Sequence, residues 1–399
     1  MGPLTGLKVI ELAHIMAGPT CGMMLADMGA DVIKVEKVPG GDDTRQMVPP
    51  GIDGESAAFL MMNRNKRGIA LNLKTNGGCA VLRRLIEHAD VLIENYRKGT
   101  MEKLGLGYDT LNQFNPGLIY CEISGFGRTG PYAELGGFDL IAQGMSGLMS
   151  ITGEGPGRAP VKCGAPMTDI TAGILAAMGV LGAYVERLRT GKGQRVDTSL
   201  FEAGIVHTYW QSAIAFATGQ APDAMGSAHP LNAPYQAFQT RDGWITIGAA
   251  NQKNWLTLIE VLGVASLRDD PRFQSNDNRM QNLEALQTIL NEVFLTRTSV
   301  EWLELLARAG VPAGPILDIL QMHQDPQALA RGMIQSVDHS RLGRVQTLGH
   351  PVRYSKTPVG LRYGAPVYGE HTRAILQEHG YSEQEIEALL QQGAIDSSD

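Results

Sequence analysis

Leu7-Lys-Val-Ile-Glu-Leu12 is an apolar run of strand length near the start of the chain, and Asp31-Val-Ile-Lys-Val-Glu36 is a second. Between them Gly18-Pro19 marks the first turn of a helix, because the N–H that proline lacks is unpaired there in any case. Gly29 ends this helix. A strand, a helix and a strand of these lengths predict a compact βαβ unit with two parallel strands.

The alternation of strand and helix continues beyond this unit. It predicts a helix over residues 77–88, strands over 90–94 and 118–124, and a long apolar helix over 170–185. Such alternation implies an α/β fold, in which a parallel sheet is covered by helices on both faces.

After Thr190-Gly-Lys-Gly193 the pattern changes. It predicts a helix around 199–217, a hairpin of strands 235–239 and 244–249, and helices near 252–262, 282–294 and 299–309. We therefore expect a large α/β domain over 1–200, a linker over 201–225, a smaller α+β domain over 226–325, and a linker with a C-terminal segment over 326–399.

The composition is that of a globular protein without an export or membrane segment. Hydrophobic residues make up 43% of the 399 residues and charged residues 19%. The apolar run 170–185 contains glycines and is shorter than the roughly 20 residues of a membrane span. The four cysteines are scattered, without metal or disulfide spacing. We expect a cytoplasmic protein with free thiols, no membrane partner and no metal.

The charge is unevenly distributed along the chain. The net charge of −7 argues against nucleic acid as a partner, yet residues 64–103 hold nine Lys or Arg and only four Asp or Glu. Basic side chains in loops between strands suit an anionic, phosphate-bearing small molecule. A merely solvated face is the alternative at this point.

Asp169 ends the glycine-rich segment Cys163-Gly-Ala-Pro-Met-Thr-Asp169 and precedes the long apolar helix. An Asp in this position usually caps the helix, because its side chain accepts the free N–H groups of the first turn. The alternative is a carboxylate nucleophile, whose charged form the positive end of the helix favours. An aspartate side chain ordinarily has a pKa of about 3.9, so we expect this carboxylate to be ionised at neutral pH.

Two other patterns suggest chemistry but suit it less well. Gly125-Phe-Gly-Arg-Thr-Gly130 matches a dinucleotide fingerprint after a strand, but Pro131, Gly136 and Gly137 predict a long loop instead of a helix opening on a pyrophosphate. His14 and Cys21 are residue types that can form a pair of cysteine nucleophile and histidine base. Because the neighbours of Cys21 are apolar, a structural thiol is the favoured interpretation.

A set of short motifs in a fixed order resembles the class III CoA-transferases over nearly the whole chain. These motifs are Gly6-Leu-Lys-Val-Ile-Glu-Leu12, Ala17-Gly-Pro19, Gly29-Ala-Asp-Val-Ile-Lys-Val-Glu36, Asn65-Lys-Arg67, Leu71-Asn-Leu-Lys74, Glu94-Asn-Tyr-Arg97, Ser124-Gly-Phe-Gly127, Gly191-Lys-Gly-Gln194 and Gly369-Glu-His-Thr372. The resemblance implies a doubly wound, Rossmann-like large domain and a small domain in a ring-shaped subunit. It also implies an interlocked homodimer and a C-terminal segment that returns to the large domain.

The resemblance also implies roles for particular residues. Asp169 becomes the nucleophile that accepts the acyl group, and coenzyme A (CoA) or acyl-CoA becomes the substrate, with no permanently bound cofactor. The residues expected to contact CoA are Ala17, Lys37, Leu71, Asn72, Lys74, Asn95, Tyr96, Arg97, Lys103, Gly137 and Phe138. Val38 stands where formyl-CoA transferases carry a second basic residue, and Lys37 is the expected substitute.

The resemblance leaves the substrate and one rival activity open. In place of the extended glycine run of the formate and oxalate enzymes, the chain has Gly226-Ser-Ala-His-Pro230. It is more similar to members that use succinyl-CoA as the CoA donor for dicarboxylates such as glutarate, itaconate or malate, with Arg45 or His229 as candidates for the second carboxylate. An α-methylacyl-CoA racemase is the rival, but Phe138 replaces its histidine and removes one proton carrier. A non-catalytic CoA-binding protein is the third alternative.

Overall fold

The computed structural model describes residues 1–398, which divide into two compact units. The first unit contains residues 1–147, 163–207 and the chain from 326 onward. The second contains 148–162 and 208–325. Residues 148–162 thus leave the large domain predicted over 1–200, and residues 208–225 belong to a compact unit instead of a linker.

The strands alternate with helices through most of the first unit. The strands are β1 (Lys8–Glu11), β2 (Asp31–Lys37), β3 (Gly51–Ile52), β4 (Glu55–Ser56), β5 (Lys66–Leu71), β6 (Val91–Glu94), β7 (Ile119–Ser124), β8 (Arg195–Ser199), β9 (Tyr235–Gln239), β10 (Trp244–Gly248), β11 (Ala313–Pro315), β12 (Ile334–His339), β13 (Gly343–Leu348) and β14 (Ile395–Asp396).

The α-helices are α1 (Ala17–Asp27), α2 (Ala57–Met62), α3 (Asn76–Glu87), α4 (Thr100–Lys103), α5 (Tyr108–Phe114), α6 (Asp139–Met145), α7 (Met167–Thr190), α8 (Leu200–Val206), α9 (Tyr209–Thr218), α10 (Gln252–Val261), α11 (Asn276–Gln281), α12 (Leu283–Phe294), α13 (Ser299–Ala309), α14 (Ile319–Gln324), α15 (Pro326–Ala330), α16 (Thr372–Glu378) and α17 (Glu383–Gln391). Short 3-10 turns occupy Asp43–Gln46, Leu148–Ser150 and Ala265–Arg268. The single helix predicted around 199–217 is two helices, α8 and α9.

The main sheet has the strand order β14-β5-β2-β1-β6-β7-β8. All neighbouring pairs are parallel except β14, which runs antiparallel to β5 and pairs Ile395 with Leu71. The order therefore reverses between β1 and β6. In sheets of this kind a crevice opens at that switch point, outside the carboxyl ends of the strands, and ligands bind there.

Alternating residues of each strand bury into two separate cores. Val9 and Val32 face one core with α1 and α7, whereas their neighbours Ile10 and Ile33 face the other with α3. Side chains alternate across a strand, so a strand covered on both faces needs apolar residues at successive positions. The near-continuous apolar runs seen in the sequence arise in this way, and the α/β prediction is confirmed.

The second unit is an α+β assembly with its own core. Strand β10 pairs antiparallel with β9, placing Ile245 opposite Phe238, and also pairs with β11. Helices α10, α12 and α13 cover this sheet and bury residues such as Trp255, Phe294 and Trp302. The predicted hairpin and these three helices are confirmed to within a residue or two at their ends.

Helix α7 is the central helix of the first unit. It is long and apolar enough to cross a membrane by length and composition alone. In this fold Ala172, Ala176 and Val180 are buried in the core that α7 shares with α1 and the sheet. Gly173 lets the two helices approach closely, because a Cβ there would lie 2.5 Å from the carbonyl oxygen of Ala17.

We predict opposite effects for two Gly→Ala substitutions in α7. Gly173→Ala should lower the free energy of unfolding by about 1 to 3 kcal/mol, because its methyl group would overpack the contact with α1. Gly182→Ala is the matched control: nothing within one chain lies within 4 Å of its Cβ position, so alanine should raise the stability of the unassociated chain by about 0.5 to 1 kcal/mol. Chemical denaturation measures both, and equal effects would contradict the close packing of α1 and α7.

Candidate active site

A cavity of about 250 Å³ opens at the switch point of the sheet. Loops that follow parallel strands form most of its wall, and the start of α7 forms the rest. The lining residues are His14 to Ala17 after β1, Asn95 to Lys98 after β6, Ile123 to Gly125 and Arg128 at and after β7, Ala133 to Phe138 before α6, and Asp169 and Leu200. The predicted residues Ala17, Asn95, Tyr96, Arg97, Gly137, Phe138 and Asp169 are thus brought together.

Asp169 is the third residue of α7 and does not cap it. The helix begins at Met167, and the cap position is Pro166, which has no side chain able to accept a hydrogen bond. Within residues 1–398 the Asp169 carboxylate receives no hydrogen bond, although it lies in the first turn, where the helix dipole favours a negative charge. The capping interpretation is therefore wrong for this residue.

Asp139 performs the capping role instead. Its Oδ1 accepts hydrogen bonds from the backbone N–H of Thr168 at 2.9 Å and from the Thr168 hydroxyl at 2.8 Å. Its Oδ2 accepts from Gln143 Nε2 at 2.7 Å, and Gln143 Oε1 accepts the N–H of Cys163. The glycine-rich segment before α7 is thereby tied to α6, and Asp169 is left unbonded in the cavity.

Asp169 is partly buried next to a second carboxylate, that of Asp139. Burial raises the pKa of Asp169 to about 6, and the nearby negative charge of Asp139 acts in the same direction. The pKa of about 3.9 expected from the sequence is therefore too low. Asp169 remains mostly ionised at neutral pH, and its poorly solvated charge suits attack on an electrophile.

A second cavity of about 260 Å³ lies beside the first. Its wall is mainly apolar, with Val35, Val38, Leu71, Leu73 and Leu104, and it also includes the predicted Lys37, Asn72 and Lys74. His14 and Tyr96 line both cavities, and His14 Nε2 lies 3.3 Å from the Tyr96 hydroxyl. The two cavities together offer an apolar recess with basic residues and, past Tyr96, a carboxylate.

Some predicted residues lie elsewhere or have other partners. Arg45 is half-buried, and its guanidinium binds Glu36 at 2.7 Å and the carbonyl oxygen of Pro366, so a role for it in substrate binding has no support. His229 lies in the second unit, where its ring contacts Trp210 and Tyr235. Lys103 is exposed at the end of α4.

The two patterns judged less suitable for chemistry also have structural explanations. Residues 125–138 form a loop, and a Cβ at Gly137 would lie 2.5 Å from the Cα of Gly125, so these glycines allow two backbone segments to touch. Cys21 is fully buried beside Cys121, and this contact and its burial raise the pKa of its thiol. His14 instead faces Tyr96, and the structural interpretation of Cys21 is confirmed.

Three residues of this site were not predicted to belong to it, although His14 was considered with Cys21 as a possible nucleophile pair. His14 joins the two cavities, Lys98 adds a cation to the wall, and Asp139 holds the start of α7. Lys98 belongs to the basic segment 64–103, so the charge pattern of the sequence carried a signal for it. Asp139 contacts Thr168, which lies 29 positions further along the chain, so the sequence carried no local signal for this contact.

We predict that Asp169 titrates near pH 6 and that Asp139→Asn lowers its pKa toward 3.8, because the substitution removes the adjacent negative charge. NMR of protein labelled with ¹³C in aspartate carboxyl groups measures this, and the spectrum of Asp169→Asn assigns the signal. Glu134→Gln is the control, since Glu134 lines the same cavity but does not perturb Asp169. An unchanged Asp169 titration in Asp139→Asn would contradict the coupling.

Comparison with known proteins identifies the family. Residues 4–372 match CoA-transferase family III. Mouse succinyl-CoA:glutarate CoA-transferase is 39% identical, over 99% of this chain and 91% of its own length. Succinate--glutarate CoA-transferase of Agrobacterium fabrum is 41% identical, over 94% and 95% of the two chains. The crystal structure of a CAIB/BAIF family protein from Brucella suis, 42% identical, superposes with a TM-score of 0.84 over 95% of this chain and 99% of its own. The chain belongs to CoA-transferase family III and is an enzyme of that family.

Proposed function

We propose that this enzyme transfers CoA from succinyl-CoA to a dicarboxylic acid, with Asp169 as the nucleophile. The observation that carries the proposal is a carboxylate in the first turn of α7 that receives no hydrogen bond within residues 1–398 and lines a cavity at the switch point. The two relatives described above are both named for succinate or succinyl-CoA and for glutarate, which supports this substrate class.

The proposed reaction proceeds by four exchanges at carbonyl carbons, without redox change. A carboxylate oxygen of Asp169 attacks the succinyl-CoA thioester, the C–S bond breaks, and a mixed anhydride and CoA thiolate result. The thiolate then attacks the Asp169 carbonyl carbon and releases succinate, leaving an aspartyl-CoA thioester. The acceptor carboxylate attacks this thioester to form a second anhydride, and the thiolate takes the acceptor acyl group, which frees Asp169.

We infer a binding mode for CoA from the lining of the two cavities. We assign the adenine end of CoA to the apolar recess around Leu71 and Leu73, with Lys37 and Lys74 near the phosphates. The pantetheine arm would pass Tyr96 and bring its sulfur to Asp169. Arg97 and Lys98 line the Asp169 cavity; Lys98 is paired with Glu134 at 3.0 Å, so it is the positive charge of Arg97 that favours an acyl group carrying a second carboxylate.

The racemase alternative has less support. Racemisation needs two proton carriers on opposite faces of a carbon atom, and the cavity is lined by Phe138 at the position where the resemblance to the racemases implies a histidine. Asp139, the adjacent carboxylate, already accepts hydrogen bonds from Thr168 and Gln143. Asp169 alone suits a nucleophile better than a member of an acid and base pair.

We predict that Asp169→Asn abolishes CoA transfer and retains CoA binding. Succinyl-CoA is offered with mono- and dicarboxylic acids, the acyl-CoA products are identified by mass, and binding of free CoA is measured by calorimetry. The wild-type enzyme should form glutaryl-CoA or another dicarboxylyl-CoA and release succinate. Transfer only to monocarboxylates would refute the substrate class, and full activity of Asp169→Asn would refute the mechanism.

The same variant should fold normally. A folded pKa near 6 against 3.8 in the unfolded chain means that folding disfavours the ionised carboxylate. This unfavourable contribution is absent below the unfolded pKa and is fully present above pH 6. Removing the charge with Asn should therefore leave the thermal stability at pH 7 unchanged or raised, which separates a lost nucleophile from a lost fold.

The family resemblance and the surface of α7 also support a homodimer. Ile174, Met178, Val185 and Leu188 are between 46% and 71% exposed in this chain. Together with Leu181 they recur at spacings of four and three residues, the spacing of a seam between packed helices. We assign this stripe to contact with a second copy of the chain.

We predict that Val185→Glu dissociates the dimer, because a carboxylate in an apolar seam loses its hydration. Val300→Glu is the matched control: Val300 lies on α13 in the second unit and is 65% exposed, close to the 67% of Val185. Analytical ultracentrifugation should find one chain for Val185→Glu and two for the control. A wild-type monomer at micromolar concentration would overturn the assignment.

A further inference from the structure

The loop between β1 and α1 holds an unusual backbone conformation. Its residues His14, Ile15 and Met16 line the cavity that contains Asp169. Ile15 has φ = 67°, in the left-handed region. A β-branched residue rarely adopts this region, because its Cβ substituents crowd the backbone, so neighbouring interactions must hold it there.

Hydrogen bonds from outside the loop hold this conformation. The Asn95 side chain forms two hydrogen bonds with the backbone of His14. Its Oδ1 accepts the His14 N–H and its Nδ2 donates to the His14 carbonyl oxygen, each at 2.9 Å. The N–H of Ile15 donates to Asp42 Oδ1 at 3.2 Å. The Lys34 ammonium donates to the carbonyl oxygen of Ala13 at 2.9 Å. The strained residue is thus bound directly by one side chain, that of Asp42.

Asp42 is itself rigidly held. Its Oδ1 also accepts from the N–H and the hydroxyl of Thr44, at 2.9 and 2.8 Å. Its Oδ2 lies 2.8 Å from the ammonium of Lys34, and both side chains are fully buried. Although burial favours the neutral acid, Lys34 and the bonds from Thr44 hold the pKa of Asp42 well below its usual range. The carboxylate is therefore a fixed, charged acceptor.

We propose that Asp42 is a positioning residue for CoA transfer, which holds Ile15 in its strained conformation and so shapes the wall of the cavity that contains Asp169. Asp42 does not line this cavity and acts through the loop. The proposal rests on the reaction of the family and on Asp169 as nucleophile, but not on the choice of a dicarboxylate. A glycine at position 15 would adopt this conformation without strain, so the geometry of residues 14–16 should then depend much less on the hydrogen bond to Asp42.

The test is a rescue experiment. Asp42→Asn keeps an oxygen for Thr44, but it weakens the acceptor for the Ile15 N–H and the contact with Lys34. We expect kcat to fall about tenfold or more, because small displacements of a site wall slow the reaction. The KM for the acyl-CoA should change less. Ile15→Gly in the Asp42→Asn background should restore most of kcat, since glycine adopts φ = 67° without strain. Ile15→Ala removes nearly the same side chain but keeps a Cβ, and should not restore it.

Each outcome decides the proposal. Wild-type kcat in Asp42→Asn, or a folded Asp42→Asn enzyme that Ile15→Gly fails to rescue, would overturn it. If Asp42→Asn does not fold, the single variants still decide: Ile15→Gly must have a higher melting temperature than Ile15→Ala, and the reverse order would refute the strain. This stability comparison needs no substrate, so it stands even if the wild-type enzyme transfers no CoA from succinyl-CoA.

Discussion

A buried charge cluster formed by Glu11, Lys34, Lys66 and Asp42 is the constraint on which the rest of the first unit depends. Glu11 of β1 binds Lys34 of β2 at 3.1 Å and Lys66 of β5 at 2.8 Å, and all three side chains are fully buried. Lys34 also binds Asp42. Removing one member of such a cluster leaves an unpaired charge in an apolar interior, which is far less stable than either the complete cluster or none. The three strands and the loop before Asp42 are therefore held as a set.

The cluster also fixes the position of α1, which in turn packs against α7. Lys66 donates to the carbonyl oxygen of Pro19 in α1, and Gly22 leaves room for Glu11, whose Oε2 would lie 1.8 Å from a Cβ at that position. Helix α1 is thus seated on the charged cluster on one side and packs closely on α7 through Gly173 on the other. Because Gly173 is one turn from Asp169, the cluster, α1 and the first turns of α7 form one continuous packed series.

The sequence alone predicts those parts of the fold whose signals are local. The βαβ unit over residues 7–36, the hairpin before α10 and the helices of the second unit all carry apolar periodicity and turn residues within a short window. Strand β5 carries no such signal, because Lys66 and Arg67 suggest an exposed segment. Lys66 is buried only because Glu11, distant in sequence, neutralises it. Strand β8 was missed for a different reason: it is an edge strand with exposed residues such as Arg195, which pairs with Glu122 of β7, so it has no continuous apolar run.

In the site, as in the fold, some features have local sequence signals and others depend on residues distant in sequence. A distant residue, Asp139, is the reason that the Asp169 carboxylate is left without a hydrogen bond. From the sequence, an aspartate before an apolar helix can serve as a cap, as a nucleophile or as both, and local patterns favour the cap. The fold removes this competition by bringing Asp139 to the first turn, where it accepts the N–H of Thr168. Asp169 is then unbonded, and burial beside a second carboxylate raises its pKa to about 6. An arrangement that leaves one carboxylate without hydrogen bonds, next to another that has three, is unfavourable for stability, and this is the physical basis on which we propose Asp169 as the nucleophile.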